Sequence, residues 1–192
     1  MLPHALATAR LPRSGNAALA SGALIQALLG VEFVLAGLSK AIDPDFVTQF
    51  RAFVSSSPGA RDGLLAGVMQ TLVVPHANLI AELTRWTELG AGLVLLVTAL
   101  EVLRRRLSNP LGAEHAYEPL VALASAAAAF IVGGMSAAIY LIEGGRLPTV
   151  SAGFAFGSPI AIELFLVPLA LAIAWLEFAR FLALHQGRQR SA

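Results

Sequence analysis

The chain has 192 residues, of which 57% are hydrophobic and only 13% are charged, and its formal net charge is +1. Soluble domains carry about 25% charged residues, so this composition is typical of a membrane protein. The absence of a basic patch argues against nucleic acid as a partner. The sequence contains no cysteine, which excludes disulfides, thiol catalysis and cysteine-ligated metal or iron–sulfur sites.

The N-terminal region predicts a basic tail followed by a membrane-spanning helix. Residues 1–16 form the tail, and a long apolar run follows them. That run exceeds the 7–15-residue core of a secretory signal, contains Glu32 and lacks a clear small-residue cleavage site. We therefore interpret residues 17–40 as the first span, which ends at Lys40.

The longest connection, residues 41–82, predicts two short helices. Asp43 is suited to cap a helix that begins at Pro44, and the following FVTQFRAFV is amphipathic. The segment SSSPGARDG then ends this helix. A second amphipathic stretch covers residues 64–74 and is too short to span, since a span takes about 20 residues. We expect both helices to lie on the membrane surface or to cap the bundle.

Three further apolar segments predict the remaining spans, at about residues 79–103, 119–142 and 159–184. The predicted fold class is an all-α integral membrane four-helix bundle with short amphipathic helices on its outer face. A polar connector, a glycine-rich loop and a C-terminal tail complete the chain at residues 104–118, 143–158 and 185–192. The third span contains SAAAAFIVGGMSAA. Because small residues let backbones approach closely, we expect this span at the centre of the packing.

The distribution of basic residues predicts the orientation. Four spans place both termini on one side, and that side with the connector holds eight of the 13 Lys and Arg residues, including Arg104, Arg105 and Arg106. The opposite face holds the other five. The positive-inside rule then places both termini in the cytoplasm of a multi-pass protein of a bacterial-type inner membrane.

Ionisable residues near the predicted outer ends of the spans are the candidate functional residues. Glu32 lies eight residues before Lys40. At a helical rise of 1.5 Å per residue, it is therefore about 12 Å deeper in the membrane than Lys40. Glu88 lies one turn deeper than Arg85, and Glu163 lies about one turn inside the fourth span. Intramembrane carboxylates are costly and mark functional sites. We therefore expect Glu32 and Glu88 to face the bundle interior, paired with Lys40, Arg85 or a ligand.

The same charges also have structural interpretations. Lys40 and Arg85 are suited to anchor the helix ends at the membrane interface, and a salt bridge could simply fix the helix register. A protonated carboxylic acid beside a quinone carbonyl could instead relay a proton. Glu101 and Glu177 lie near predicted cytoplasmic helix ends with arginines close by, and we expect them to be solvated end charges.

The histidines lack the spacing of metal or haem ligands. No two of them lie at i and i+4 on one helix, and His76 is the single histidine on the predicted outer side. We therefore expect no haem, metal or iron–sulfur cluster. His76 is either a helix-start residue or a proton acceptor at the outer mouth. No glycine-rich phosphate loop with a following Lys-Ser/Thr occurs, which argues against ATP-driven chemistry.

Two segments resemble a known family. The first span ends in FVLAGLSKAIDPDFVTQF, and the second reads VVPHANLIAELTRWTELGAGLVLLVTAL. An apolar helix that ends in a Gly-x-x-Lys turn, followed after a loop by Glu, Gly and a leucine-rich run, resembles the DoxX-like family, in particular its DoxD branch. The resemblance covers residues 24–103, and the residues that match the family pattern are Gly37, Lys40, Glu88 and Gly90. It implies a four-helix membrane protein and, for some members such as the membrane subunit of thiosulfate:quinone oxidoreductase, electron transfer to quinone.

Three functions fit these observations. The first is a redox component that binds quinone in the outer half of the bundle. Its catalytic residues would be Glu88 and Glu32, and its substrate- or quinone-binding residues Lys40, Arg85, Trp86, Glu163 and His76. The second is a non-catalytic membrane partner or scaffold of a redox or stress-response enzyme on the outer face, which the absent cysteines and haem ligands favour. The third is a small proton-coupled transporter, which buried carboxylates would suit. Membrane lipid and a second subunit are the expected partners.

Overall fold

The computed structural model describes residues 13–107, 118–145 and 161–191, and all regular secondary structure in these ranges is helical. The long helices are α1 (Arg13–Ile42), α5 (Ala77–Leu107), α6 (Glu118–Ile142) and α7 (Ile162–Ser191). Between α1 and α5 lie α2 (Phe46–Ser56), α3 (Pro58–Arg61) and α4 (Ala66–Val68), and a π-helical segment (Met69–Val73) continues α4.

Four helices in the described ranges are long and apolar enough to cross a membrane: Leu19–Ile42, Ala77–Arg104, Glu118–Ile142 and Ile162–Gln186. The predicted all-α four-helix membrane fold is therefore confirmed, and the chain is a multi-pass membrane protein with lipid-facing helices. Three helices extend beyond the predicted spans. Helix α1 begins at Arg13 inside the predicted N-terminal tail, α5 continues to Leu107 into the predicted connector, and α7 continues to Ser191 through most of the expected C-terminal tail. Most of the predicted N-terminal tail, connector and glycine-rich loop lies outside the described residues.

Helices α1 and α5 pack antiparallel with their backbones in contact. The contact depends on Gly30 and Gly37 of α1 and Gly92 of α5. A Cβ atom at any of these positions would lie only 2.5–2.7 Å from a backbone nitrogen of the facing helix. Glycine permits this close approach because it has no side chain. The same packing brings Lys40, near the end of α1, opposite Glu88 of α5.

Helices α6 and α7 form the second closely packed pair. A Cβ atom at Gly133 of α6 would lie 3.2 Å from the Ala170 Cβ of α7. About 44% of the apolar stretch of α6 is buried, against 17% for α7, which agrees with the expectation that this small-residue span lies centrally. The two pairs share a core that contains Leu29, Phe33, Ala91, Leu95, Ala128, Ala129, Val132, Ala170 and Ile173.

The short helices close one end of the bundle, which we call the α2 end; the opposite end is the tail end. They surround a second core of Val54, Ala60, Met69, Ala77 and Ile142. The two predicted amphipathic helices therefore lie where the sequence suggested, but α3 forms inside the segment expected to be irregular. Helix α2 begins at Phe46 rather than Pro44. Asp43 precedes it and accepts the Asp45 backbone N–H at 2.9 Å.

A hydrogen-bonded pair joins α1 and α5 towards the tail end. The fully buried Gln26 donates from Nε2 to Thr98 Oγ1 at 2.7 Å and to the Leu95 carbonyl at 3.1 Å. The Thr98 hydroxyl in turn donates to the Val94 carbonyl at 2.7 Å. The other amide atom, Gln26 Oε1, is buried without a partner among the described residues. The hydrogen-bonding capacity of the buried Gln26 amide is therefore only partly used.

This partly used capacity limits what the pair contributes to stability. Gln26→Leu should change the free energy of unfolding by less than about 1 kcal/mol, since interhelical hydrogen bonds in membranes average about 0.6 kcal/mol and the change also removes an unpaired acceptor. Gln26→Ala leaves a cavity and should cost about 2 kcal/mol or more. Titration with sodium dodecyl sulfate in mixed micelles measures both. An equal loss for the two variants would show that the hydrogen bonds dominate instead.

Candidate functional site

The glycine-mediated contact between α1 and α5 creates an ion pair near the α2 end. The Lys40 Nζ atom lies 2.6 Å from Glu88 Oε2. The Glu88 side chain is only 2% exposed, whereas that of Lys40 is 27% exposed. A buried charge is strongly unfavourable unless it is paired. The ion pair with Lys40 therefore offsets the free-energy cost of burying the Glu88 carboxylate. The prediction that Glu88 faces the interior and pairs with Lys40 agrees with this geometry.

The ion pair lies in the wall of a cavity of about 460 Å³. Helix α2 covers this cavity, the ends of α1 and α5 flank it, and one residue of α6 contributes to it. Besides the ion pair, the polar lining consists of Ser39, Asp43, Gln49 and Thr84, and the apolar lining of Phe46, Phe50, Phe53 and Ile139. Small-molecule sites have this size and combine apolar walls with a few polar groups. The cavity is therefore the candidate binding site.

The sequence of α2 explains how it covers the cavity. Phe46, Phe50 and Phe53 recur at helical spacing and line the cavity from one face of α2. The centroids of the first two rings are 6.0 Å apart. On the solvent-exposed side, Arg51 donates to Asn78 Oδ1 at 2.8 Å and ties α2 to the start of α5. Helix α2 is thus held in place by the packing of Val54, Phe50 and Phe53 in the second core and by this polar contact.

Arg85 lies near the site but pairs with a different carboxylate. Its guanidinium binds Glu82, with Nε donating to Oε2 at 2.8 Å, and its Nη1 donates to the Lys40 backbone carbonyl at 3.4 Å. The guanidinium carbon also lies 5.7 Å from the ring centroid of Trp86, which is exposed. Arg85 therefore binds the C-terminal end of α1 and positions Lys40. Glu82 is not among the predicted site residues, although its i,i+3 spacing to Arg85 indicates an ion pair on one helix face.

The other predicted site residues lie away from the cavity. Glu32 is exposed, so the expectation that its side chain faces the bundle interior is wrong. Its neighbours Leu29 and Phe33 are buried, and because each helical residue rotates the side chain by about 100°, Glu32 points outward. Glu163 is half-buried in the first turn of α7, and His76 is exposed just before α5. None of these three lines the cavity.

The two acidic residues expected to be solvated differ from each other. Glu177 is only 3% exposed, and Arg180 Nη1 donates to its carboxylate at 3.0 Å. The expectation of a solvated end charge is wrong for Glu177, because its side chain lies on the same face of α7 as the buried Ala170 and Ile173. Glu101 is half-buried and accepts from Arg104 Nε at 3.0 Å.

The cavity lining combines aromatic rings with a charged donor and further polar groups. Within the described ranges, no three His, Asp or Glu side chains gather to hold a metal. Three phenylalanine rings could contact a planar ring, and the Lys40 ammonium is a donor for an oxygen atom. Comparison with known proteins finds no matching family model, no matching curated protein and no matching solved structure.

Proposed function

We propose that this protein is a quinone-binding component of a membrane redox system, and that the cavity beneath α2 is its quinone site. The observation that carries the proposal is the Lys40–Glu88 pair in the wall of a cavity lined by three phenylalanines. A quinone head group is a planar ring that bears carbonyl oxygens. Aromatic walls suit the ring, and a charged donor suits a carbonyl oxygen.

The residues of the pair have complementary roles in this proposal. A bound quinone supplies the redox chemistry, since it accepts two electrons and two protons, and the electrons come from a separate reductant at the α2 end. Lys40 donates a hydrogen bond to a carbonyl oxygen and holds the Glu88 carboxylate in place. Glu88 carries protons between the cavity and the water at the α2 end. Arg85 acts through Lys40 and is a positioning residue.

The proposal places the α2 end on the outer side of a bacterial-type inner membrane, with both termini in the cytoplasm. The excess of arginine in the tails and connector supports this orientation. The resemblance to DoxX-like proteins also supports the site. Of the residues that carry the resemblance, Lys40 and Glu88 form the ion pair and Gly37 packs α1 against α5.

A variant that removes both charges tests the quinone site without leaving either one unpaired. Lys40→Met combined with Glu88→Gln should weaken the binding of a short-chain, water-soluble quinone about tenfold or more, because a charge-assisted hydrogen bond contributes about 1.5–3 kcal/mol. Isothermal titration of the protein in lipid nanodiscs measures the affinity. Glu101→Gln, which alters a carboxylate on the same helix at the tail end, is the matched control and should bind as the wild type does.

Other outcomes would favour another function. Equal affinity of the double variant and the wild type would place quinone elsewhere. A wild-type chain that binds no quinone but co-purifies with a stoichiometric enzyme would be a scaffold. Proton-coupled uptake of a solute into liposomes, abolished by Glu88→Gln, would identify a transporter.

A further inference from the structure

The exposed face of α1 carries a carboxyl group in the middle of the membrane. Glu32 lies ten residues before the end of the Leu19–Ile42 span, about 15 Å along the helix. A glutamate side chain is too short to reach the interface from that depth. The side chain is exposed, and no described hydrogen bond or ion pair involves it. Because a lone carboxyl group facing lipid is costly, this face needs a polar partner.

The residues around Glu32 form a regular apolar seam. Ile25, Leu28 and Leu35 are exposed by 41%, 64% and 58% and lie with Glu32 at alternating spacings of three and four residues. This is the a/d spacing by which two helices pack along a shared seam. In such a seam, one polar residue among apolar ones fixes the register and the number of helices.

The other lipid-facing surfaces lack such a group. Away from the ends of the spans, the exposed large side chains within the described parts of α5, α6 and α7 are apolar or aromatic, among them Leu93, Phe130 and Trp175. The exposed polar side chains described for these helices lie at the span ends: Asn78, Arg104, His185 and Gln186. The remaining acidic residues of the spans are at most half-exposed or lie at the helix ends. The face of α1 is therefore distinguished from the others by a hydrogen-bonding group at mid-depth.

We propose that two copies of this chain associate in the membrane through their α1 helices, with Glu32 of each copy hydrogen-bonded to Glu32 of the other. A two-fold axis along the membrane normal places both groups at the same depth without further adjustment. A carboxylic acid group can both donate and accept a hydrogen bond. Two such groups are therefore self-complementary, and the apolar seam packs on either side of them. The proposal is independent of the quinone site.

Substitutions of Glu32 test the hydrogen bond. Glu32→Leu should raise the dissociation constant of the dimer about tenfold or more, while Glu32→Gln, which remains both donor and acceptor, should keep it within about threefold. Fluorescence energy transfer between labelled full-length copies in phosphatidylcholine liposomes, measured over a range of protein-to-lipid ratios, gives these constants. Both variants should fold, since the side chain lies on the surface. Unchanged association of Glu32→Leu would overturn the proposal.

Disulfide trapping tests the position of the interface. The chain has no cysteine, so single cysteines report one position each. Leu28→Cys should cross-link two copies under mild oxidation, whereas the matched control Leu93→Cys on the exposed face of α5 should not. Equal cross-linking of the two variants, or a wild-type protein that stays monomeric at high protein-to-lipid ratio, would contradict a dimer through α1. In the latter case a different protein would cover Glu32.

Discussion

Gly37→Ala is expected to lower the free energy of unfolding by about 3 kcal/mol, the upper end of the usual cost of overpacking. The added Cβ would lie 2.5 Å from the Leu89 backbone nitrogen and 2.8 Å from the Leu89 Cα. Backbone atoms cannot rotate aside as a flexible side chain can, so the two helices must move apart. Titration with sodium dodecyl sulfate in mixed micelles measures the loss.

Gly90→Ala is the matched control, because a Cβ at Gly90 would meet nothing within 4 Å. It should be neutral or stabilise the protein by up to about 1 kcal/mol, since alanine has the higher helix propensity. Both glycines lie in the long helices α1 and α5, but only Gly37 lies in a close contact between them. Equal effects of the two substitutions would show that close packing of α1 and α5 contributes nothing to stability.

Alanine substitutions at Gly30 and Gly92 should show strong coupling in their effects on the free energy of unfolding. A Cβ at Gly30 would lie 3.0 Å from the Gly92 carbonyl oxygen, and a Cβ at Gly92 would lie 3.0 Å from the Gly30 carbonyl oxygen. Once one methyl group has separated the helices, a second one finds more room. The double alanine variant should therefore cost clearly less than the sum of the two single variants.

The spans could be predicted from the sequence because bilayer thickness sets their length. Depth along a helix could be counted as well, since the rise per residue is constant. This count predicts that Lys40 and Glu88 lie near the same end of the bundle, and in the structure the two side chains form an ion pair. It could not give the direction in which a side chain points. The exposed position of Glu32 could therefore not be predicted.

Other features depend on information that a single segment does not contain. The pairing of Gln26 with Thr98 spans 72 residues and depends on the register of two packed helices. The amphipathic pattern of α2 predicted a helix but not the surface it covers, since an apolar face suits lipid and a ligand cavity equally. The burial of Glu177 depends on which face of α7 packs against the other helices, and that face also carries the buried Ala170 and Ile173.

Lys40→Met should be the most destabilising single change at the site. It leaves the Glu88 carboxylate, whose side chain is 2% exposed, without its cation. Removing one partner of a buried pair costs about 3–5 kcal/mol. Glu88→Gln should cost less, about 1–2 kcal/mol, because Lys40 is 27% exposed and its ammonium group can turn towards water.

The double variant Lys40→Met with Glu88→Gln separates a structural from a functional role of the pair. Because it leaves no unpaired charge, it should recover most of the stability lost in Lys40→Met, and a double-mutant cycle measures this recovery as a coupling energy. A double variant that is stable yet binds quinone weakly would mean that the pair is kept for its chemistry. If the double variant remained as unstable as Lys40→Met, the lysine stem and its packing would be the stabilising part, and the pair would serve mainly to fix α1 against α5.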